Sequence, residues 1–194
     1  MTAAVFLDRD GVLNELVPRD DSGRQESPLD PRQVALVPGA AAAIQRLRSA
    51  GYVVVGVSNQ PAAAKGTVDI KQLESVQARV LDLLERAGAA PDAFRLCFHH
   101  PDGVVPELTR VCDCRKPAPG MLLDAAAALD LDLNASWMIG DTDSDVAAGT
   151  AAGCRTILIE NPGSAHKRSG DARPYATAID LAAAADLVVA SSVR

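Results

Sequence analysis

Apolar positions along the chain fall into two alternating kinds of run. Short continuous runs have the character of strands buried on both faces. Longer stretches, apolar at every third or fourth position, have that of helices. Ala3 to Leu7 is the first short run, and it ends in acid at Asp8. Gln33 to Val37 predicts a short strand or an extended approach, after which Pro38-Gly39 opens an Ala-rich helix that Gly51 ends. Tyr52 to Val57 is almost wholly apolar and β-branched, as a buried strand requires. Asp69 to Ala87 carries Leu73, Val76, Val80, Leu83 and Leu84 at helical spacing, with Gly88 behind it. Phe94 to Phe98 predicts a strand, Gly120 to Leu131 a helix and Ser136 to Ile139 a strand. Asp143 to Ala152 predicts a helix closed by Gly153, and Arg155 to Glu160 a strand. The last two elements expected are a helix over Thr177 to Ala185 and a strand over Leu187 to Ala190. Pro18 to Pro31, polar and interrupted by proline, predicts a mobile loop.

Strands separated by helices imply right-handed βαβ crossovers and a parallel sheet. The expected fold is α/β: a Rossmann-like parallel sheet with helices on both faces, forming one domain over residues 1–194. Open sheets of this kind bind ligands at the carboxyl ends of their strands. Four of the strands end in chemically capable residues: Asp8 and Asp10, Ser58 and Asn59, Cys97 and His99, and Asp141. Those ends should meet at one site. Between Asn14 and Ser58, one helix and one strand leave no room for a large helical cap, so a capless and fairly open site is expected.

Composition narrows the function. Apolar residues make up 48% and charged residues 23%, enough for a core and against wholesale disorder. Lys and Arg number 19 against 25 Asp and Glu, a net charge of -6, which argues against a partner bound through a nucleic-acid backbone. Aromatic residues at 3% offer no platform for stacked bases. No apolar run approaches the roughly 20 residues of a membrane span, and no basic segment precedes the acid at Asp8. A cytoplasmic monomer with reduced cysteines and no membrane partner is therefore expected.

The candidate chemistry begins at Asp8-Arg9-Asp10-Gly11-Val12-Leu13-Asn14. Two carboxylates leaving a buried strand at i and i+2 repel unless a cation or a proton neutralises them. Mg²⁺, a hard ion that takes oxygen ligands, is the natural partner. Gly140-Asp141-Thr142-Asp143-Ser144-Asp145 brings further carboxylates to another strand end, with Asp143 read as a helix cap. Ser58 supplies a hydroxyl, Asn59 and Gln60 supply amides, and Arg115 and Lys116 supply cations.

Cys97 and His99, then Cys112 and Cys114, offer three thiolates and one imidazole, the donor set of a structural Zn²⁺ site. The zinc loop is expected over about 97–116, with His100 as the adjacent competitor of His99. Cys154, alone at the start of an apolar run, reads as a core residue.

With these residues in order, the sequence resembles the haloacid dehalogenase superfamily of phosphohydrolases. The motifs are D-x-D-G-x-x-N at Asp8 to Asn14, the hydroxyl at Ser58, Lys116, and G-D-x-x-x-D at Gly140 to Asp145. The resemblance implies that Asp8 is the nucleophile and forms an aspartyl-phosphate, and that Asp10 is the general acid and base. It implies Mg²⁺ held by Asp8, the backbone carbonyl of Asp10, and Asp141, with Asp145 behind them. Ser58 and Lys116 would meet the phosphoryl oxygens. Cys-x-His-His-Pro followed by Cys-x-Cys-Arg-Lys-Pro further resembles the heptose 1,7-bisphosphate and histidinol phosphatase branch. Removal of a heptose 7-phosphate is then the expected activity, histidinol phosphate hydrolysis the alternative, and a non-catalytic zinc-stabilised interaction module the remote one. Arg9, Asn59, Gln60, Lys65, Arg115 and Thr142 would bind the small phosphorylated substrate. The chain departs from the branch in several places: Pro61-Ala62-Ala63 stands where it has Ser-Gly, Lys65 where it has Arg and Thr142 where it has Lys, and Glu15 to Pro31 lacks its Gly-Tyr.

Overall fold

The computed structural model describes residues 1–19 and 23–191. Among the described residues, eight strands and five α-helices follow in order: β1 (Ala4–Leu7), β2 (Val17–Pro18), β3 (Gln25–Glu26), α1 (Ala40–Ser49), β4 (Val53–Asn59), α2 (Ile70–Arg86) and β5 (Ala93–Cys97). Then come α3 (Gly120–Leu129), β6 (Trp137–Gly140), α4 (Asp143–Ala152), β7 (Arg155–Ile159), β8 (Ala176–Ala178) and α5 (Leu181–Ser191). Six strands form a sheet in the order β5-β4-β1-β6-β7-β8, and every pair is parallel. The expected α/β class is the one observed.

Strand alternation divides the core. Val5 and Leu7 of β1 point to one face, where Ile44 and Leu47 of α1, Val76 and Val80 of α2 and Val188 of α5 cover them. Ala4 and Phe6 point to the other, against Leu122 and Ala125 of α3 and Ala148 of α4. Cys154 joins this second cluster, and burial alone pushes its thiol up to about 12. Both faces being covered explains why β1 and β4 read as unbroken apolar runs.

The chain builds outward from β1 through β4 to β5, then returns to lay β6 on the other side of β1. The strand order therefore reverses between β1 and β6, where a crevice opens at the carboxyl ends. Asp8 lies just beyond β1 and Asp141 just beyond β6, so this topology juxtaposes them.

Several boundaries differ from the sequence reading. Leu187 to Ala190 is helical and belongs to α5, and the last strand is Ala176–Ala178. Asp180 caps that helix by accepting from Ala183 N at 2.8 Å, and Leu181, Ala184, Ala185 and Val188 are buried at helical spacing. A short apolar run suits helix or strand, and here the packing on α1 selects helix. Gln33 to Val37 is an extended approach: Val37 N donates to Leu13 O and Glu15 N to Ala35 O, beyond a 3₁₀ turn over Pro31–Gln33. The stretch from Pro18 to Pro31 is not all loop. β2 and β3 pair antiparallel, Val17 with Glu26 and Pro18 with Gln25, while residues 20–22 of the expected mobile loop lie outside the described residues. The helix expected to reach Leu131 ends at Leu129, after which Asp130 adopts φ 52°. Among the described residues no helix is long and apolar enough to cross a membrane.

Candidate active site and metal centre

Three of the four strand ends, those of β1, β4 and β6, meet at a cavity of about 270 Å³, while Cys97 and His99 after β5 lie outside its walls. Its walls include Asp8, Asp10, Ser58, Asn59, Lys65, Arg115, Lys116, Asp141, Thr142 and Asp145, all marked out by the sequence.

Asp8 is buried, and its Oδ1 accepts from Lys116 Nζ and from Arg9 N, each at 2.8 Å. Burial raises its carboxyl to about 6 against the pull of Lys116, with Asp145 and Asp10 adding repulsion. Lys116 is 3% exposed. Its ammonium donates to Val57 O at 2.8 Å and pairs with Asp145 Oδ1 at 2.6 Å. These two carboxylates hold it firmly protonated despite burial. Asn59 fixes the backbone beneath it, donating to Lys116 O at 2.9 Å and accepting from Lys116 N at 3.0 Å.

Asp10 is saturated with donors. Arg9 bonds both its oxygens through Nε and Nη2 at 3.0–3.1 Å, Asn14 Nδ2 reaches Oδ1 at 3.0 Å, and Gln60 Nε2 reaches Oδ2 at 2.6 Å. Burial would raise this carboxyl, but the Arg9 charge and these bonds outweigh it and hold the group below the usual carboxylate range. Arg9 was expected to touch substrate, and its position corrects that expectation. Its side chain is wholly buried, bonded to Asp10 and to Gln77 Oε1 of α2, and absent from the cavity wall. It positions Asp10. Gln60 likewise divides its amide between Asp10 and Ser58 Oγ, the latter at 2.9 Å.

Asp8, Asp141 and Asp145 bring a carboxylate oxygen each to within 4.8 Å of one another. Both oxygens of Asp141 are buried without a hydrogen-bond partner. Burial, then the charges of Asp8 and Asp145, push its carboxyl up to about 8. Ionised, such a group calls for a cation, and the residues fit Mg²⁺ at Asp8 and Asp141. Asp145 is otherwise engaged: Oδ1 pairs with Lys116, and Oδ2 accepts from Thr142 N at 3.0 Å and Thr142 Oγ1 at 2.6 Å. It therefore stands behind the metal position, anchoring Lys116 and the start of α4. Thr142 lines the cavity with its hydroxyl already given to Asp145.

Beside this pocket, Cys97 closes β5 and the segment after it folds back. Cys114 Sγ lies 3.2 Å from Cys97 Sγ, 3.3 Å from Cys112 Sγ and 3.4 Å from His99 Nδ1. The four donors converge as around a tetrahedral ion, and zinc fits the set. His99, not His100, faces the sulfurs, while His100 Nδ1 accepts from Asp102 N. Arg115, next after Cys114, donates to His99 O at 3.3 Å and reaches the cavity wall.

Sequence reasoning missed a second supporting segment. After β7, Asn161 Nδ2 donates to Gly11 O, and Ser164 Oγ and Arg168 Nη1 donate to Asp141 O, at 3.0–3.1 Å. Lys167 lines the cavity and pairs with Glu26 of β3 at 2.7 Å. The signal was an Asn-Pro pair at a strand end, with cations following.

A buried carboxylate on a lysine, an unpartnered carboxylate beside it and fixed donors around both, at the switch point of a parallel sheet, suit a haloacid-dehalogenase-like phosphohydrolase. A family model described as HAD-hydrolase-like matches residues 113–187. A relative from Rhodopseudomonas palustris, named D-glycero-β-D-manno-heptose-1,7-bisphosphate 7-phosphatase, is 40% identical over 159 residues, 81% of this chain and 83% of its own. One of the same name from Pseudomonas aeruginosa is 34% identical over 187 residues, covering 95% and 97%. A crystal structure of D,D-heptose 1,7-bisphosphate phosphatase from B. bronchiseptica, complexed with magnesium and phosphate, superposes with a TM-score of 0.80 at 31% identity, covering 97% of this chain and 99% of that one. The chain belongs to this family of HAD-like sugar-phosphate phosphatases.

Proposed function

We propose that the chain hydrolyses the 7-phosphate of D-glycero-β-D-manno-heptose 1,7-bisphosphate, as one domain over residues 1–194 and as a cytoplasmic monomer. The observation that carries this reading is Asp8 held on Lys116 beside the unpartnered oxygens of Asp141. The relatives' names supply the substrate.

Asp8 attacks phosphorus and takes the phosphoryl group, with the sugar hydroxyl leaving, and water then releases phosphate and regenerates the carboxylate. Asp10 serves both halves. It is ionised, and accepts a proton from the attacking water once one of its donors withdraws. To protonate the leaving oxygen first, it must enter that step protonated, so it turns partly off the Arg9 guanidinium and takes up a proton from solvent. Ser58 and Lys116 meet the phosphoryl oxygens where charge develops. Asp8, Asp141 and the backbone carbonyl of Asp10 would hold Mg²⁺, which when bound would offset the repulsion between the carboxylate and the phosphate. Zn²⁺ on Cys97, His99, Cys112 and Cys114 would be structural, fixing Arg115 and Lys116 against the pocket.

Lys65, Arg115 and Lys167 line the cavity as well as Lys116. Those cations suit a second anion and oppose the ammonium group of histidinol phosphate. A panel assayed with Mg²⁺, holding both heptose bisphosphate anomers and histidinol phosphate, tests the reading. The β anomer should give the highest kcat/KM, and a preference for histidinol phosphate would overturn the assignment.

A further inference from the structure

Helix α2 carries a polar residue in its buried stripe. Its buried side chains are Leu73, Val76, Gln77, Val80 and Leu84, and Val76, Val80 and Leu84 pack in the core against β1 and its neighbours. Helical spacing assigns position 77 to an apolar side chain. Gln77 instead brings an amide into that layer, and among the described residues its Nε2 has no hydrogen-bond partner. A buried unpaired donor costs stability, so packing does not account for this residue.

The oxygen of the same amide is engaged. Gln77 Oε1 accepts from Arg9 Nη1 at 3.1 Å. Among the described residues the Arg9 side chain donates to two groups, Asp10 through Nε and Nη2, and Gln77 through Nη1. A guanidinium is planar and rigid, so a hold on one nitrogen restrains the direction of the others. Arg9 and Asp10 are neighbours on the turn after β1, and a bond between neighbours lets the two swing together. Asn14 Nδ2 and Gln60 Nε2 restrain the carboxylate from outside that pair. Gln77, 68 residues along the chain, restrains the guanidinium.

The reaction makes this second restraint matter. Asp10 turns partly off Arg9 and passes its proton to the leaving oxygen as the bond from that oxygen to phosphorus breaks. A proton from the attacking water then restores it. While Asp10 is turned away, the bond to Gln77 is what keeps Arg9 in place. The guanidinium is wholly buried, and without that acceptor it would follow the carboxyl and hold it out of line.

We infer that Gln77 is a positioning residue for the acid step, holding the Arg9 guanidinium in place while Asp10 turns toward the leaving oxygen. This rests on the phosphatase reading above and extends the working site to a residue of α2 outside the cavity wall.

The experiment measures kcat/KM, which reports phosphoryl transfer to Asp8, on two esters at saturating Mg²⁺. One is the best substrate of the panel above, an alkyl phosphate whose leaving oxygen needs a proton. The other is 4-nitrophenyl phosphate, whose phenolate leaves without one. Gln77→Met keeps the size of the side chain and removes the acceptor. The value for the alkyl ester relative to the nitrophenyl ester should fall at least about tenfold. Gln77→Asn, polar but a methylene shorter, should show the same fall and serves if the methionine variant does not fold. Asp10→Asn should lower the same ratio, and adding Gln77→Met should lower it no further, because no acid remains to be positioned. Where the nitrophenyl ester is too slow to measure, this double-variant cycle on the alkyl ester alone decides. An equal loss on both esters would make Gln77 merely structural, and an unchanged ratio would show that Arg9 does not need it. A further loss in the Asp10→Asn background would place its action elsewhere. Each of these overturns the inference and leaves the phosphatase reading standing. If Asp10→Asn itself spares the ratio, the acid role of Asp10 falls and that of Gln77 with it.

Discussion

Gly11 has no side chain because Asp141 occupies the place one would fill. A Cβ at position 11 would overlap Asp141 Oδ2 and lie 3.0 Å from its Cγ. The backbone there also has φ +87°, which L side chains rarely adopt. The turn after β1 and the carboxylate after β6 are thereby locked in register, and the unpartnered oxygens of Asp141 stay aimed at the position between it and Asp8.

Gly11→Ala should accordingly act on the metal. The methyl group must displace Asp141, and the left-handed backbone adds about 1–2 kcal/mol of strain. The Mg²⁺ concentration giving half-maximal activity should rise at least about tenfold, as when groups that orient metal ligands are lost. An unchanged Mg²⁺ titration would show that Asp141 is not held by this contact.

Asp8→Asn should abolish turnover and leave the fold intact. An amide cannot form the acyl phosphate, whereas the hydrogen bonds around Asp8 can be kept by its carbonyl oxygen. Residual activity above about one part in a hundred, in protein free of wild type, would remove Asp8 from the nucleophile's role.

Mg²⁺ should stabilise the protein more at pH 8 than at pH 6. Burial raises Asp8 to about 6 and, with its acidic neighbours, Asp141 to about 8, both above the unfolded value of 3.8. Raised carboxyls favour the fold while protonated, so the Mg²⁺-free protein loses stability as pH climbs through these values. The cation binds the ionised forms and offsets that loss, mostly at the alkaline end. Melting curves with and without Mg²⁺ at the two pH values give the comparison, and equal shifts would contradict it.

Metal analysis of the purified protein should find about one zinc per chain, retained through dialysis that removes Mg²⁺. Cys112→Ser should lose the zinc and lower Tm together, because metal binding contributes to the folding free energy of the loop. Arg115 and Lys116 follow the cluster directly, so kcat should fall as well. A zinc-free variant with wild-type Tm would leave the cluster without a structural role.

Much of this site was legible in the sequence because its parts are local. Asp8, Ser58 and Asp141 follow apolar runs whose character marks buried parallel strands, and that fold class already puts strand ends together. Cys97, His99, Cys112 and Cys114 announce themselves by donor type alone. Arg9 was expected to bind substrate, and nothing local in the sequence signals its burial. Its burial depends on Gln77, 68 residues away on α2, and on an Asp10 carboxylate turned toward it.

The sequence by itself determined the order of β1, β4, β5, β6 and β7 and of the helices between them, the carboxylates and lysine at their ends, and the cluster of three cysteines and a histidine. Hydrophobic period, capping residues and ligand chemistry all act within a few residues of chain. Only the tertiary structure decided whether Leu187 to Ala190 became helix or strand, because the run suits both and the α1 surface receives a helix. It also decided that a two-residue ladder would fold the Pro18–Pro31 stretch beside the active site. Such short strands carry too little pattern to read alone, and their register comes from pairing with residues far enough along the chain that no local signal encodes it.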